Sequence, residues 1–187
     1  MIPFEATAAV LLCAGLSRRF GDPNKLLEPL AGEPLVNHAA SLLASLPFGQ
    51  QIAVVGHQDM PMLPPILKRI RNPEPEAGKD GSIRIGIDAA LRGQPRGILI
   101  CLGDMPHVTR EHLAALAAAA DDETAAISSA GEWCSPPLLL PARLAAAALE
   151  QPEKPIHDLL GEWPVTEVPA LLELLLDFDV PDDFARG

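Results

Sequence analysis

Short, uninterrupted apolar runs alternate along this chain with segments whose apolar positions recur at helical spacing. Thr7–Cys13 (TAAVLLC) is apolar throughout and leads into glycine-containing sequence, the pattern of a strand buried on both faces. Residues 51–56 (QIAVVG) and 97–102 (GILICL) read the same way, the second ending at Gly103-Asp104. Between them, residues 34 to about 46 carry a helical pattern with Pro34 suited to the first turn. Residues 82–91 place Ile83, Ile87, Ala90 and Leu91 on one helical stripe. Residues 60–70 predict a helix confined to the later part of the segment, because Pro61, Pro64 and Pro65 interrupt its start. Thr109 is placed to cap a helix running to about Ala120, with Glu111 and His112 in its first turn. Residues 124–128 read as a strand, 141–149 as a helix, and 177–180 as the end of a last strand-like stretch.

Strands alternating with helices predict an α/β fold, a mostly parallel sheet covered by helices on both faces. Ligands of such sheets bind at the carboxyl ends of the strands, which puts the loops after Cys13 and after Leu102 at one mouth. The prolines cluster in residues 61–75 and 134–141, read here as rim loops. There is no internal repeat and no long linker, so one domain over residues 1–187 is expected.

Composition narrows the partners. The chain carries a formal net charge of −11, unlike the basic surfaces of nucleic-acid binders. The charge is uneven: residues 1–25 set three basic side chains against two acidic ones, while residues 150–187 set two against ten. A small cationic focus in an acidic molecule suits a small phosphorylated ligand. No apolar run approaches the ~20 residues of a bilayer span, and the N-terminus lacks a basic n-region, so neither membrane nor secretion is expected. Cys13, Cys101 and Cys134 show no CxxC spacing, which fits a reducing cytoplasm and argues against disulfides or zinc.

Candidate chemistry starts in the loop after the first strand. Gly15 and Gly21 let the backbone turn and approach a ligand, and successive N–H groups there can form an anion nest. Arg19 offers a planar fork for phosphate oxygens and Lys25 a mobile point charge. The loop matches neither GxxxxGK[ST] nor GxGxxG, and an ordinary βα turn with solvated arginines would share its composition.

The residues LCAGLSRRFGDPNK resemble the (A/G)-G-x-S-x-R-(M/F)-G-x-x-x-K signature of the MobA-like NTP transferases, and within them the molybdenum cofactor cytidylyltransferases. The resemblance continues in order through Lys25-Leu26-Leu27 with Gly32-Glu33-Pro34-Leu35-Val36, and Asn72-Pro73 with Gly78, Ser82 and Gly86. It ends in Leu102-Gly103-Asp104-Met105-Pro106 and Asp177-Phe178-Asp179-Val180-Pro181. It implies a three-layer Rossmann-like nucleotidyltransferase fold and a reaction in which NMP passes from an NTP to a phosphorylated acceptor, with release of pyrophosphate. It also implies that Leu12, Ala14, Gly15, Ser17, Arg19, Lys25, Gly78, Ser82 and Asp104 bind the nucleotide. Arg19, Lys25 and Asp104 would be catalytic.

A hard cation such as Mg²⁺ takes one or two protein carboxylates, and Asp104 at the end of a buried strand is one candidate. Asp177 and Asp179, two residues apart, share a face in an extended segment, and either could complete the site. A turn-forming Asp104 and a solvated acidic tail are the plainer alternatives. Alanine at position 14 goes with CTP in this family and glycine with GTP, so CTP is favoured. For Ser82, packing at a helix start competes with a base contact.

The acceptor implied is molybdopterin or molybdenum cofactor, with a molybdoenzyme or its maturation chaperone as a further partner. Against it, Cys134-Ser135-Pro136-Pro137-Leu138 stands where relatives carry G-H-P or G-N-P, and residues 153–160 replace a G-D-x-G-A-R stretch. Lys154 and His157 could supply replacement contacts. His38, His57, His107 and His112 have no ligand-like spacing and receive no role, although His107 could approach the phosphates. The competing functions are transfer to a sugar or alditol phosphate, guanylyl transfer from GTP, and a non-catalytic chaperone that holds nucleotide or pterin.

Overall fold

The computed structural model describes residues 1–16 and 24–184. Its elements in chain order are β1 (Thr7–Cys13), β2 (Pro29–Leu30), β3 (Glu33–Pro34), α1 (Leu35–Ala44), β4 (Gln50–Val55), β5 (Lys68–Arg71) and α2 (Lys79–Leu91). Then follow β6 (Gly97–Leu102), α3 (Arg110–Ala119), β7 (Ala125–Ala130), β8 (Trp133–Pro141), α4 (Ala142–Leu149), α5 (Ile156–Leu160), β9 (Val165–Pro169) and α6 (Pro181–Phe184). Seven strands form one sheet in the order β5-β4-β1-β6-β8-β7-β9, in which only β8 runs against its neighbours. β2 and β3 pair apart from it as a small hairpin.

β1 lies inside the sheet, and all seven of its residues are buried. The pleat sends alternate side chains to opposite faces. Ala9, Leu11 and Cys13 join one core with residues of α1 and α3, including Leu35, Leu43, Leu113 and Leu116. Ala8, Val10 and Leu12 join a second core with α2, α4 and α5, including Ile83, Ile87, Leu144 and Leu159. This is the three-layer arrangement read from the apolar runs. β1 and β6 have the bounds that the pattern predicts, and Thr109 caps α3 by accepting from the His112 N–H at 3.2 Å.

Three expectations need correction. Residues 60–70 form no helix: the prolines hold the segment in turns, and its end is the edge strand β5. The proline-rich stretch 134–141 is not a rim loop but most of β8, a central strand. It tolerates Pro136 and Pro137 because the β7–β8 register shifts there, between Ile127 opposite Leu138 and Ser128 opposite Ser135. The Pro136–Pro137 peptide is cis. Residues 177–180 are not in a strand; they follow a one-turn 3-10 helix at Leu172–Leu174 as irregular chain leading into α6. The last strand is instead β9, paired with β7.

α2 can lie close to the sheet because residue 86 is glycine. A Cβ there would overlap Val10 Cγ1 and stand 3.2 Å from Val54 Cγ2. Gly81 in the same helix has no atom within 4 Å of such a Cβ. Opposite signs follow. Gly81→Ala is expected to stabilise by about 0.5–1 kcal/mol through helix propensity. Gly86→Ala is expected to destabilise by about 1–3 kcal/mol through overpacking. Urea denaturation followed by circular dichroism checks both, and stabilisation by Gly86→Ala would contradict the close packing of α2.

Candidate active site

The loops after the parallel strands β1, β5 and β6 gather at one end of the sheet, where they border a cleft of about 320 Å³. Its walls include Leu12, Ala14, Gly15, Lys25, Gly78, Ser82, Leu102, Asp104 and Asp177. Leu12 and Leu102 are register partners on β1 and β6, so two neighbouring strand ends form the floor.

Lys25 opens a short 3-10 turn, Lys25–Leu27, whose start is fixed by Asn24 Oδ1 accepting from the Leu26 N–H at 3.1 Å. The turn carries its ammonium inward, and the residue is only 6% exposed. Nζ reaches Asp104 Oδ2 at 2.7 Å and Asp179 Oδ1 at 2.5 Å. Burial works against the charged amine, but the charge and hydrogen bond of Asp104, and then those of Asp179, outweigh it and raise its pKa. Lys25 therefore holds its proton as a fixed cation.

Asp104 follows β6 directly, where the Gly103 N–H donates to Leu12 O at 3.0 Å and ties the loop to the end of β1. The C-terminal segment reaches the same place because the Phe178 N–H donates to Asp104 O at 3.0 Å. The buried Phe178 ring anchors that segment, with Phe184 edge-on at 5.3 Å and His107 tilted at 5.5 Å between centroids. Asp183 Oδ2 accepts from the Asp179 and Val180 N–H groups at 2.8 and 2.9 Å, which fixes the chain entering α6. Asp104, Asp177 and Asp179 each bring a carboxylate oxygen within 4.8 Å of the others. Desolvation raises the pKa of Asp177, and the charges of Asp179 and Asp104 add to this, while Lys25 opposes them.

On the opposite wall, α2 begins at the cleft. Its N-cap is Gly78, at φ 105° and ψ −178°, a conformation that side chains do not adopt readily. The cap makes no side-chain hydrogen bond, and among the described residues the start of α2 presents its backbone N–H groups beside Gly78 and Lys79 of the cleft wall. Ser82, one turn along, is buried and accepts from Asn72 Nδ2 at 2.9 Å.

This arrangement of a strand–loop start, a fixed lysine and a strand-end aspartate coincides with the match of a family profile, MobA-like NTP transferase domain, over residues 9–165. The chain belongs to that family. Among curated proteins, the bifunctional protein GlmU of Rhizorhabdus wittichii is 31% identical over 108 residues, 56% of this chain. The matched stretch spans only about a quarter of that relative's length, 24%. Solved structures share the fold. A nucleotidyl transferase from Methanothermobacter superposes with a TM-score of 0.80 at 23% identity, over 96% of this chain and 94% of its own. The molybdopterin-guanine dinucleotide biosynthesis protein A of Archaeoglobus fulgidus gives 0.66 at 22%, over 96% and 95%. Rv0371c of Mycobacterium tuberculosis, in complex with manganese, gives 0.71 at 18%, over 96% of both chains.

The MobA-like chain thus brings together Leu12, Ala14, Gly15, Lys25, Gly78, Ser82, Asp104 and Asp177 in one cleft, with Asp179 bonded to Lys25 beside it. Ser17 and Arg19 lie outside the described residues. Sequence reasoning overlooked Pro75, Glu76 and Lys79 in the cleft wall. They follow β5, and the strand-end rule would have found them had residues 68–71 been read as a strand. Lys154 bonds Glu162 at 2.5 Å and His157 bonds Asp158 at 2.9 Å, and neither lines the cleft. His112 is buried, and its Nε2 lies 2.7 Å from Ser128 Oγ. Ser128 donates its own proton to Pro137 O, so the histidine is the donor in that pair, and burial lowers its pKa toward the neutral form. No described helix is long and apolar enough to cross a membrane.

The charge cluster sets a pH dependence. Because the folded state raises the pKa of Asp177, that group contributes stability below the ordinary carboxylate value and loses it as pH rises through the raised one. Removing Lys25 removes the charge that opposes this shift and leaves Asp104 and Asp179 facing each other. Lys25→Met is expected to fall behind the wild type as pH rises from about 4 to 7, by roughly 1–3 kcal/mol at neutral pH. Denaturation curves across that range measure the difference. Parallel curves for the two proteins would contradict the coupling.

Proposed function

We propose that this protein is a nucleotidyltransferase that passes CMP from CTP to a phosphorylated acceptor, molybdopterin or molybdenum cofactor being favoured, and acts as one MobA-like domain over residues 1–187. The observation that carries the reading is the buried Lys25 ammonium, bonded to Asp104 and Asp179 and facing a cleft at the carboxyl ends of β1 and β6. Family membership supports nucleotidyl transfer as the reaction class.

The three carboxylates suit a hard divalent cation, for which Asp104 with Asp179, or with Asp177, supplies the one or two protein ligands that Mg²⁺ usually takes. Manganese in the Rv0371c complex agrees with a divalent ion. Bound there, the metal would neutralise charge on the α-phosphate and the departing pyrophosphate. Lys25 supplies a permanent positive charge to the phosphates, and Arg19 a planar guanidinium. The N–H groups at Gly15 and at the start of α2 offer donors to phosphate and ribose oxygens. An oxygen of the acceptor's phosphate attacks the α-phosphorus in line, one new P–O bond forms, and the bond to the β-phosphate oxygen breaks. The acceptor phosphate is already ionised at neutral pH, so positioning and charge stabilisation do the catalytic work. Ala14, buried at the cleft, narrows the space for a base and favours the smaller pyrimidine. The reaction needs only small soluble ligands, which suits a cytoplasmic location.

A second reading keeps the chemistry and changes the acceptor to a sugar or alditol phosphate. It is favoured by Ser135-Pro136-Pro137, and by Lys154 and His157 pairing with their own neighbours instead of lining the cleft.

Pyrophosphate release from CTP, GTP, ATP and UTP with Mg²⁺ and each acceptor class tests the proposal. The expected result is release with CTP and molybdopterin, reduced at least about 100-fold in Asp104→Asn. Full activity of Asp104→Asn would overturn the site, and release only with a sugar or alditol phosphate would overturn the acceptor.

A further inference from the structure

Asn72 stands where β5 ends and the chain turns toward α2, and it is only 2% exposed. Three of its polar groups are committed. Its backbone N–H donates to Val55 O at 2.8 Å, Oδ1 accepts from the Glu74 N–H at 2.9 Å, and Nδ2 donates to Ser82 Oγ at 2.9 Å. The Glu74 N–H can only donate, so it determines which end of the amide it faces and leaves the NH₂ group toward Ser82.

A serine hydroxyl rotates freely and can donate or accept according to its surroundings. Here Oγ already accepts from Asn72, so its proton must point elsewhere. Among the described residues no protein acceptor takes that proton, and Ser82 lines the cleft. A buried hydroxyl with one bond made and its proton facing a cleft is a directional probe, because a ligand that offers it another donor leaves both groups unsatisfied.

We propose that Asn72 is a positioning residue that holds the Ser82 hydroxyl as a donor into the cleft, where it selects a nucleobase edge bearing an acceptor, such as the 2-carbonyl of a pyrimidine. This rests on the reading of the cleft as the NTP site. It adds a polarity to the steric argument from Ala14: the methyl limits the size of the base, and the hydroxyl requires an acceptor. The 2-amino group of guanine presents a donor where the 2-carbonyl of cytosine presents an acceptor.

The test compares CTP with 2-thiocytidine triphosphate by calorimetry, since sulfur in place of the 2-oxygen is a weak acceptor. Wild-type protein is expected to prefer CTP by about ten-fold, the scale of one good hydrogen bond. Asn72→Asp keeps an acceptor for the Glu74 N–H but offers Ser82 a carboxylate oxygen, so the hydroxyl turns to donate to it. The preference should then fall to about two-fold or less. Ser82→Ala should do the same, and the double variant should lose no more than either single one. Should Asn72→Asp fail to fold, Asn72→Ala in the wild-type and Ser82→Ala backgrounds supplies the same comparison. Equal affinity of the wild type for both nucleotides, or a folded variant at either position that keeps the full preference, would overturn the proposal while leaving the NTP site in place. Absence of binding by any nucleotide to the wild type would instead remove the NTP reading, and this inference with it.

Discussion

An ammonium group buried at the end of a parallel sheet needs negative charge close by, and Lys25 obtains it from two distant parts of the chain. Asp104 comes from the end of β6 and Asp179 from the segment before α6, and both lie within hydrogen-bonding distance of Nζ. The geometry is possible because β1 and β6 are adjacent in the sheet and fully inside it, so the loops they release start side by side. The C-terminal segment is held at the strand ends by Phe178, whose backbone bonds Asp104 and whose ring is buried in the core that Leu11 and Cys13 of β1 share with α1 and α3. Loop, strand end and C-terminal segment are thus joined through one cation, and any ligand phosphate at this mouth meets a site whose positive charge is already fixed.

The opposite wall works by different physics. The start of α2 contributes backbone N–H groups and the Ser82 hydroxyl, beside the oppositely charged Glu76 and Lys79, and its approach to the sheet depends on the missing side chain at Gly86. A lysine–carboxylate cluster on one side and directional hydrogen-bond donors on the other suit a ligand with an anionic end and a polar aromatic end. That division of labour connects packing to function: the glycine that lets α2 settle on β1 and β4 also brings Ser82 to the cleft.

Much of this is legible in the residues. The apolar runs of β1 and β6 have sharp polar ends, and the strand-end rule is enough to put the loops that carry Lys25 and Asp104 at one mouth. The acids at 177 and 179 are found by the family resemblance together with their spacing, although the spacing argument rests on the wrong local structure. They are not in a strand, and irregular chain held by Phe178 and Asp183 brings them to Asp104. β8 is hidden by its prolines, which normally exclude a central strand and are accommodated here at a register shift with β7. β5 is hidden because four residues reading Lys-Arg-Ile-Arg show little burial, as an edge strand can. Missing it also hides Pro75, Glu76 and Lys79, since the loop after an unrecognised strand cannot be assigned to the mouth. The partnership of Asn72 with Ser82 joins residues ten apart across a turn and leaves no periodic signal at all.

The central claim is that the cleft binds a nucleoside triphosphate through the fixed charge of Lys25 together with a divalent cation. Calorimetric titration of CTP into the wild type and Lys25→Ala, with and without Mg²⁺, tests it most directly. The account predicts metal-dependent binding to the wild type and at least about a ten-fold loss in the variant, the scale of one charge-assisted contact. Binding that is equally tight in Lys25→Ala and indifferent to Mg²⁺ would contradict it.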